Sequence, residues 1–304
     1  MAERKPYVTQ RRSSGRAGAL AALAGALVAL AALGGIAYAF AGGFLTSGDE
    51  AAPATTSAPT STVPRKPVLR IVFPEGFTRA EMAQRIAAVN RIAKRKRNIT
   101  PKLSPRAYLR ASQRARLPDD FRNADVPHLE GFLFPATYEF TADTASRVLV
   151  RNQLAAFERA WDEIDLRYAR SKNLTPYDVL IIASMIEEEV LVPRERALVA
   201  AVIYNRLRLG MPLGIDATIR YGLGVPNTES LRQSQLADPT PYNTRIHTGL
   251  PPTPITNPGL AAMQAAARPA NVDYLFFVRK PDCKSHYFTA DEDEFYARLA
   301  GPRC

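Results

Sequence analysis

The stretch "TPYDVLIIASMIEEEV", residues 175–190, decides how the rest of the chain is read. Thr175 can cap a helix, and Pro176 suits the first helical position, where a missing N–H costs nothing. An apolar run, "VLIIASMI", then meets three consecutive carboxylates, Glu187, Glu188 and Glu189. Residues three or four apart share a helix face. Glu187 therefore stacks over Ala183 and Leu180, Glu188 over Ser184 and Ile181, and Glu189 over Met185 with Ile182 behind it. A carboxyl on an apolar face loses solvation and its pKa rises, as a general acid at neutral pH requires. Glu187 is the candidate acid, although the same spacing also fits three glutamates on a solvated helix end.

Around this helix the sequence predicts further helices at about 104–121, 144–171, 193–209, 258–267 and 291–300, from periodicity and turn signals. The third of these starts near Pro193 and stops at Gly210. A strand pair is predicted in "YLFFV" (274–278) and "SHYFT" (285–289). Upstream, "VLRIVFPEGFTRAEMAQRIAAVN" (68–90) reads as a strand, a turn at Pro74–Gly76 and a helix with Thr78 and Glu81 as a capping box. The order is that of an α+β protein, since it lacks the regular alternation of a doubly wound sheet. No internal repeat is visible.

The first 66 residues read differently. Residues 1–16 carry Arg4, Lys5, Arg11, Arg12 and Arg16 against Glu3, and residues 17–45 carry no charge. About 20 apolar residues cross a bilayer, and the basic flank stays in the cytoplasm. The expectation is a single-pass membrane anchor at 17–45 with everything after it outside. A cleaved signal peptide is the competing reading, with "AYA" (37–39) as its site, but the apolar run exceeds the roughly 7–15 residues of a usual signal core. Arg11–Arg12 lacks the apolar residues expected after a twin-arginine pair. Residues 46–66, rich in Pro, Ala, Ser and Thr, cannot pack and read as a disordered linker.

The chain has 304 residues and a formal net charge of +11, which favours anionic partners. Nucleic acid is not among them, for no zinc-finger spacing, RNP-like aromatic run or basic heptad occurs. His128, His247 and His286 lie far apart, so neither a metal site nor a cofactor is expected. Two cysteines, Cys283 and Cys304, could pair or stay free. The run "RIAKRKR" (91–97) is a solvated helix end or a contact with an anionic surface.

Taken together, "ASMIEEE" (183–189), "VAAVIYNRLRLGMPLGIDATIRYGLG" (199–224), "DPTPYNTRIHTGLPPTPITNPGLAAMQAAARPANVDYLFFV" (238–278) and "EGFLFPATYEF" (130–140) resemble the endolytic murein transglycosylase family, also called MltG or YceG-like. The resemblance covers roughly residues 128–290. It implies a membrane-anchored enzyme that cleaves the MurNAc–GlcNAc β-1,4 bond of peptidoglycan. The MurNAc 6-hydroxyl attacks its own C1 and leaves a 1,6-anhydro end. It maps the catalytic glutamate onto Glu187 and implies a LysM-like subdomain. The expected organisation is a basic tail (1–16), an anchor (17–45), a linker (46–66), a LysM-like subdomain (67–127) and a mainly helical catalytic domain (128–304). Partners would be glycan strands, the cytoplasmic membrane and peptidoglycan synthases.

Ordinary glycosidases need two carboxylates, whereas an intramolecular attack can close with one that donates and then retakes a proton. Asp216, in "GIDATIRYG", reads as a charge stabiliser at C1, a substrate contact or an N-cap. Asn205 reads as an acetamido contact or a tie between two helices. Tyr242, Asn243 and Thr244 suit sugar binding by stacking and polar contact, and Glu189 is a further candidate contact. "GLPPTPITNPG" (249–259) reads as a stiff cleft wall. Val190 stands where the family often has Thr, and Phe295–Tyr296 near where it often has His-Asn. The competing function is a catalytically silent, membrane-tethered wall-binding scaffold; a hydrolytic muramidase is a third.

Overall fold

A computed structural model describes residues 66–113 and 116–302. The expected tail, anchor and nearly all of the linker lie outside these residues, as does Cys304. Among the described residues no helix is long and apolar enough to cross a membrane.

The chain enters through β1 (Leu69–Val72), whose Leu69 and Ile71 point inward while Arg70 and Val72 point outward. A turn at Pro74–Gly76 leads into α1 (Arg79–Arg97). Thr78 and Glu81 form the expected reciprocal cap, and Asn98 ends the helix in the left-handed region at φ 52°. The helix expected at 104–121 is shorter: α2 spans Pro105–Ala111, and a single 3-10 turn follows at Asp119–Phe121, after Pro118. Next comes β2 (Thr137–Phe140), a strand not expected from sequence, which pairs antiparallel with β1. Arg70 faces Glu139 across this pair with a 2.9 Å ion pair. A strand inside the region 67–127 is thus completed by one beyond it.

The helix expected over 144–171 is two, α3 (Ser146–Trp161) and α4 (Arg167–Ser171). They break where Asp165 turns its carboxylate onto the Arg167 N–H at 3.0 Å. The rings of Phe121, Phe132, Phe157 and Trp161 pack in five pairs at centroid distances of 4.8–5.7 Å, joining α3 to the 3-10 turn and the "EGFLFP" segment. Such pairs add about 0.5–1.5 kcal/mol each beyond their buried area.

α5 (Pro176–Glu189) is the centre of the domain. Asp178 completes its cap: its N–H goes to Thr175 Oγ1 at 3.1 Å, and its carboxylate takes the Thr175 N–H at 2.8 Å. Residues Val179 to Ile186 are buried without interruption. A helix that is apolar all round must be enclosed, and α5 is enclosed by α6 (Arg196–Leu209), α7 (Asp216–Leu223) and α9 (Leu260–Ala267). The small residues of α9, "LAAMQAAA", allow close approach. Between α7 and α9 lies the one-turn α8 (Gln233–Leu236). The expected terminal strand pair is present as β3 (Phe276–Arg279) and β4 (His286–Thr289), followed by α10 (Glu292–Leu299). The fold is α+β, with two small antiparallel sheets among helices.

Candidate active site

The site forms where three stretches meet at the C-terminal end of α5: the turn Pro74–Gly76, the buried loop 253–259 and the start of α9. The loop is fastened along α5. The Ile255 N–H donates to Ser184 Oγ at 3.0 Å, and Thr256 Oγ1 donates to the Ser184 carbonyl at 3.3 Å. One turn further along, the Gly259 N–H donates to Glu187 Oε2 at 3.0 Å. Gly259 is the N-cap of α9, so the positive end of a helix faces the carboxylate.

Glu187 is half-buried. Burial pushes its pKa up and the charge of Glu75 adds to this, while the Gly259 N–H and Arg196 pull it down. Among the described residues nothing hydrogen-bonds Oε1, which is left available for proton transfer. Its neighbours are also half-buried, so the solvated helix end is not what the fold provides. Burial raises Glu188 to about 7, against the 3.1 Å hydrogen bond from Asn227 Nδ2. Burial raises Glu189 to about 7 as well, opposed by Arg279 and Arg220 and reinforced by Asp216.

The other sequence candidates divide by burial. Asp216 is 43% exposed in its side chain and is paired with Arg245 at 2.6 Å. Ile215 occupies the N-cap of α7, so Asp216 stands at the first helical position and does not cap. Tyr242 is half-buried, its hydroxyl 2.9 Å from Thr253 Oγ1 and its ring edge-on to Tyr221 at 5.2 Å. Asn243 is fully buried. Its amide donates to the carbonyls of Leu236 and Asp238 and accepts the Arg245 N–H. Thr244 is buried too, with its hydroxyl on the Ile215 N–H and beside Thr218 Oγ1. Asn205 gives both amide hydrogens to the carbonyls of Val272 and Tyr274, at 2.9 and 3.0 Å. It ties α6 to the chain entering β3, not one helix to another. In these three residues the groups expected to meet sugar are committed to the protein's own backbone or to a buried hydroxyl.

Sequence reasoning missed Glu130, which is 3% exposed. Its Oε1 accepts the Arg79 N–H at 2.9 Å and Asn257 Nδ2 at 2.7 Å, and Oε2 accepts the Tyr221 hydroxyl at 3.3 Å. Burial raises its pKa to about 8 against these donors and the Arg79 charge. The signal was a lone acid inside the apolar stretch "LEGFLFP". Next to it Gly131, at φ +90°, packs so closely on Pro254 that a Cβ would stand 2.7 Å from its ring. Glu75 and Arg196 were missed as well. Arg196 Nε is buried without a hydrogen-bond partner among the described residues, and its charge acts on Glu187.

No group of His, Cys, Asp or Glu among the described residues could hold a metal ion. The half-buried carboxyl at the end of α5 is suited to proton transfer.

The sequence model of the YceG-like family matches residues 42–300. The endolytic murein transglycosylase of Bacillus subtilis (strain 168) is 32% identical over 216 residues, covering 69% of this chain and 59% of the relative. That of Streptococcus pneumoniae (strain R6) is 32% identical over 252 residues, covering 76% and 44%. The chain thus spans roughly half the length of the curated relatives it matches. The crystal structure of a YceG-like protein from Listeria monocytogenes superposes with a TM-score of 0.63 at 29% identity, covering 76% of this chain and 75% of that one. Fold, sequence model and relatives agree: the chain belongs to the YceG-like family.

Proposed function

We propose that this chain is a membrane-tethered lytic transglycosylase. It cuts peptidoglycan glycan strands internally at the MurNAc–GlcNAc β-1,4 bond, leaves 1,6-anhydro-MurNAc ends and so limits strand length. The observation that carries this reading is Glu187: half-buried, with its proton affinity raised by burial, one oxygen held by Gly259 and the other free. Glu187 protonates the glycosidic oxygen as the bond to C1 breaks. The 6-hydroxyl of the same MurNAc closes onto C1, and the Glu187 carboxylate takes the hydroxyl proton. The acid is thereby restored without water. The Gly259 N–H and Arg196 stabilise the carboxylate in the interval between the two transfers.

Asp216, Tyr242 and Glu189 are the remaining candidates for sugar contact. Asn205, Asn243 and Thr244 serve that surface by holding its loops. The βα unit at 67–127 is read as LysM-like, residues 17–45 as the single-pass anchor and the domain as extracytoplasmic, within reach of peptidoglycan synthases. N-terminal sequencing of the membrane-extracted protein tests the anchor: a chain starting at Phe40 means cleavage after "AYA". For the reaction, detergent-solubilised full-length protein is incubated with purified glycan strands and the products are weighed. Anhydro ends are expected. Reducing ends, heavier by one water, mean a hydrolase, and retention of uncut strands means a binding scaffold.

A further inference from the structure

The β1–α1 turn is fastened to the loop that holds the acid. The Gly76 N–H donates to the Asn257 carbonyl at 3.1 Å, and the Asn257 N–H returns to the Phe77 carbonyl at 3.1 Å. Gly76, at φ +80°, lies so close over the end of α5 that a Cβ would stand 3.2 Å from Glu188 Oε1 and 3.8 Å from Glu187 Cγ. One residue earlier, the Glu75 side chain lies across the bare α-carbon of Gly259, where any Cβ would overlap its carboxyl group. Gly259 is also the residue whose N–H holds Glu187. Two carboxylates 112 residues apart therefore converge on one glycine, and Glu75 is exposed and accepts no hydrogen bond among the described residues.

We infer that Glu75, carried by the β1–α1 turn, is a positioning residue of the catalytic centre that acts on the scissile bond through Glu187. The inference rests on the proposed role of Glu187 and adds a second acidic group to it. A fixed negative charge beside a half-buried carboxyl disfavours its ionised form. The charged groups acting on Glu187 are Glu75 from the turn, Arg196 from α6 and, alongside it on α5, Glu188. Burial and Glu75 keep the proton on, whereas Arg196 and the Gly259 N–H favour its release. The βα unit thus supplies part of the acid's electrostatics in addition to any hold on glycan.

The test is the pH profile of cleavage by full-length, detergent-solubilised protein on purified glycan strands. The rate needs protonated Glu187 and falls as pH rises through its pKa. Removing the Glu75 charge lowers that pKa, so the alkaline limb of Glu75→Gln should move down by about one pH unit. Glu75→Lys should move it further, Glu75→Asp should restore it, and Glu139→Gln, on the outer face of β2, should leave it in place. Glu75 is exposed and makes no hydrogen bond, so these variants keep the fold; matching thermal unfolding establishes this. An unmoved limb in Glu75→Gln and Glu75→Lys, with Glu187→Gln inactive, overturns the role of Glu75 alone. A Glu187→Gln protein that still cleaves at the wild-type rate overturns the reading beneath it.

Discussion

Asn257 gives an amide hydrogen to Glu130 Oε1 at 2.7 Å, joining two buried residues 127 positions apart. The same amide donates to the Phe77 carbonyl at 2.7 Å, and its oxygen accepts the Leu133 N–H at 2.9 Å. One side chain thus ties two other segments, 130–133 and the turn at Phe77, to its own loop, and two residues beyond it stands the N–H that holds Glu187. Asn257→Ala should cost about 1–3 kcal/mol, because it leaves the buried Leu133 N–H without a partner and takes one donor each from Glu130 and the Phe77 carbonyl. Thermal unfolding would register the loss. Cleavage at temperatures where the variant stays folded should also drop, since Gly259 loses its anchor.

Glu130 should make stability depend on pH. Its folded pKa of about 8 lies above the ordinary 4.5, so the folded state binds its proton more tightly than the unfolded chain does. The stability this confers is complete below pH 4.5 and is lost as pH rises through about 8. Glu188 and Glu189, each raised to about 7, act in the same direction. The unfolding midpoint of the wild type should fall from pH 5 to pH 8. Glu130→Gln should flatten part of that slope, and a slope identical to wild type would remove Glu130 from the account.

Glu187→Gln should lower cleavage by about 10²–10⁴-fold with the fold intact, as loss of a general acid does. Glu188→Gln should lose far less, because a helix turns it about 100° away from its neighbour. Product formation by mass, measured on both proteins under identical conditions, gives the comparison. Equal losses would assign the acid to the cluster and not to one member.

Glu195 and His286 form a second buried pair, with Nδ1 2.8 Å from Oε2 and side-chain exposures of 5% and 2%. The carboxylate also takes the His286 N–H, so it pins β4 to the start of α6. His286→Ala should destabilise by about 1–3 kcal/mol, because it takes a hydrogen-bond partner from the buried Glu195 side chain. Denaturant unfolding would show this as a lower midpoint.

What could be read ahead of the structure was whatever local chemistry encodes. Thr175, Pro176 and the apolar run announce α5, and Thr78 with Glu81 announces α1. β2 stayed hidden because "ATYEF" becomes a strand only by meeting Leu69–Val72 from far upstream. The break between α3 and α4 comes where one aspartate, Asp165, accepts the backbone N–H of Arg167 two residues on. Glu187 stood out because its helical neighbours are apolar. Glu75, Glu130 and Asn257 did not, since each takes its meaning from a partner more than 100 residues away. The burial of Asn243 and Thr244 stayed hidden for another reason. An amide or hydroxyl that would suit a sugar suits a buried turn equally well, and only burial separates the two.

The bond from Gly259 to Glu187 has a bearing on timing. A chain grows from its N-terminus at about 5–20 residues per second, so Glu187 exists several seconds before Gly259 is made. Throughout that interval the acid lacks its hydrogen bond, the loop that walls it and the contact that seats Glu75. A nascent molecule therefore carries Glu187 in an unassembled setting, and a product truncated before residue 259 never acquires the Gly259 N–H that holds one oxygen of that carboxyl.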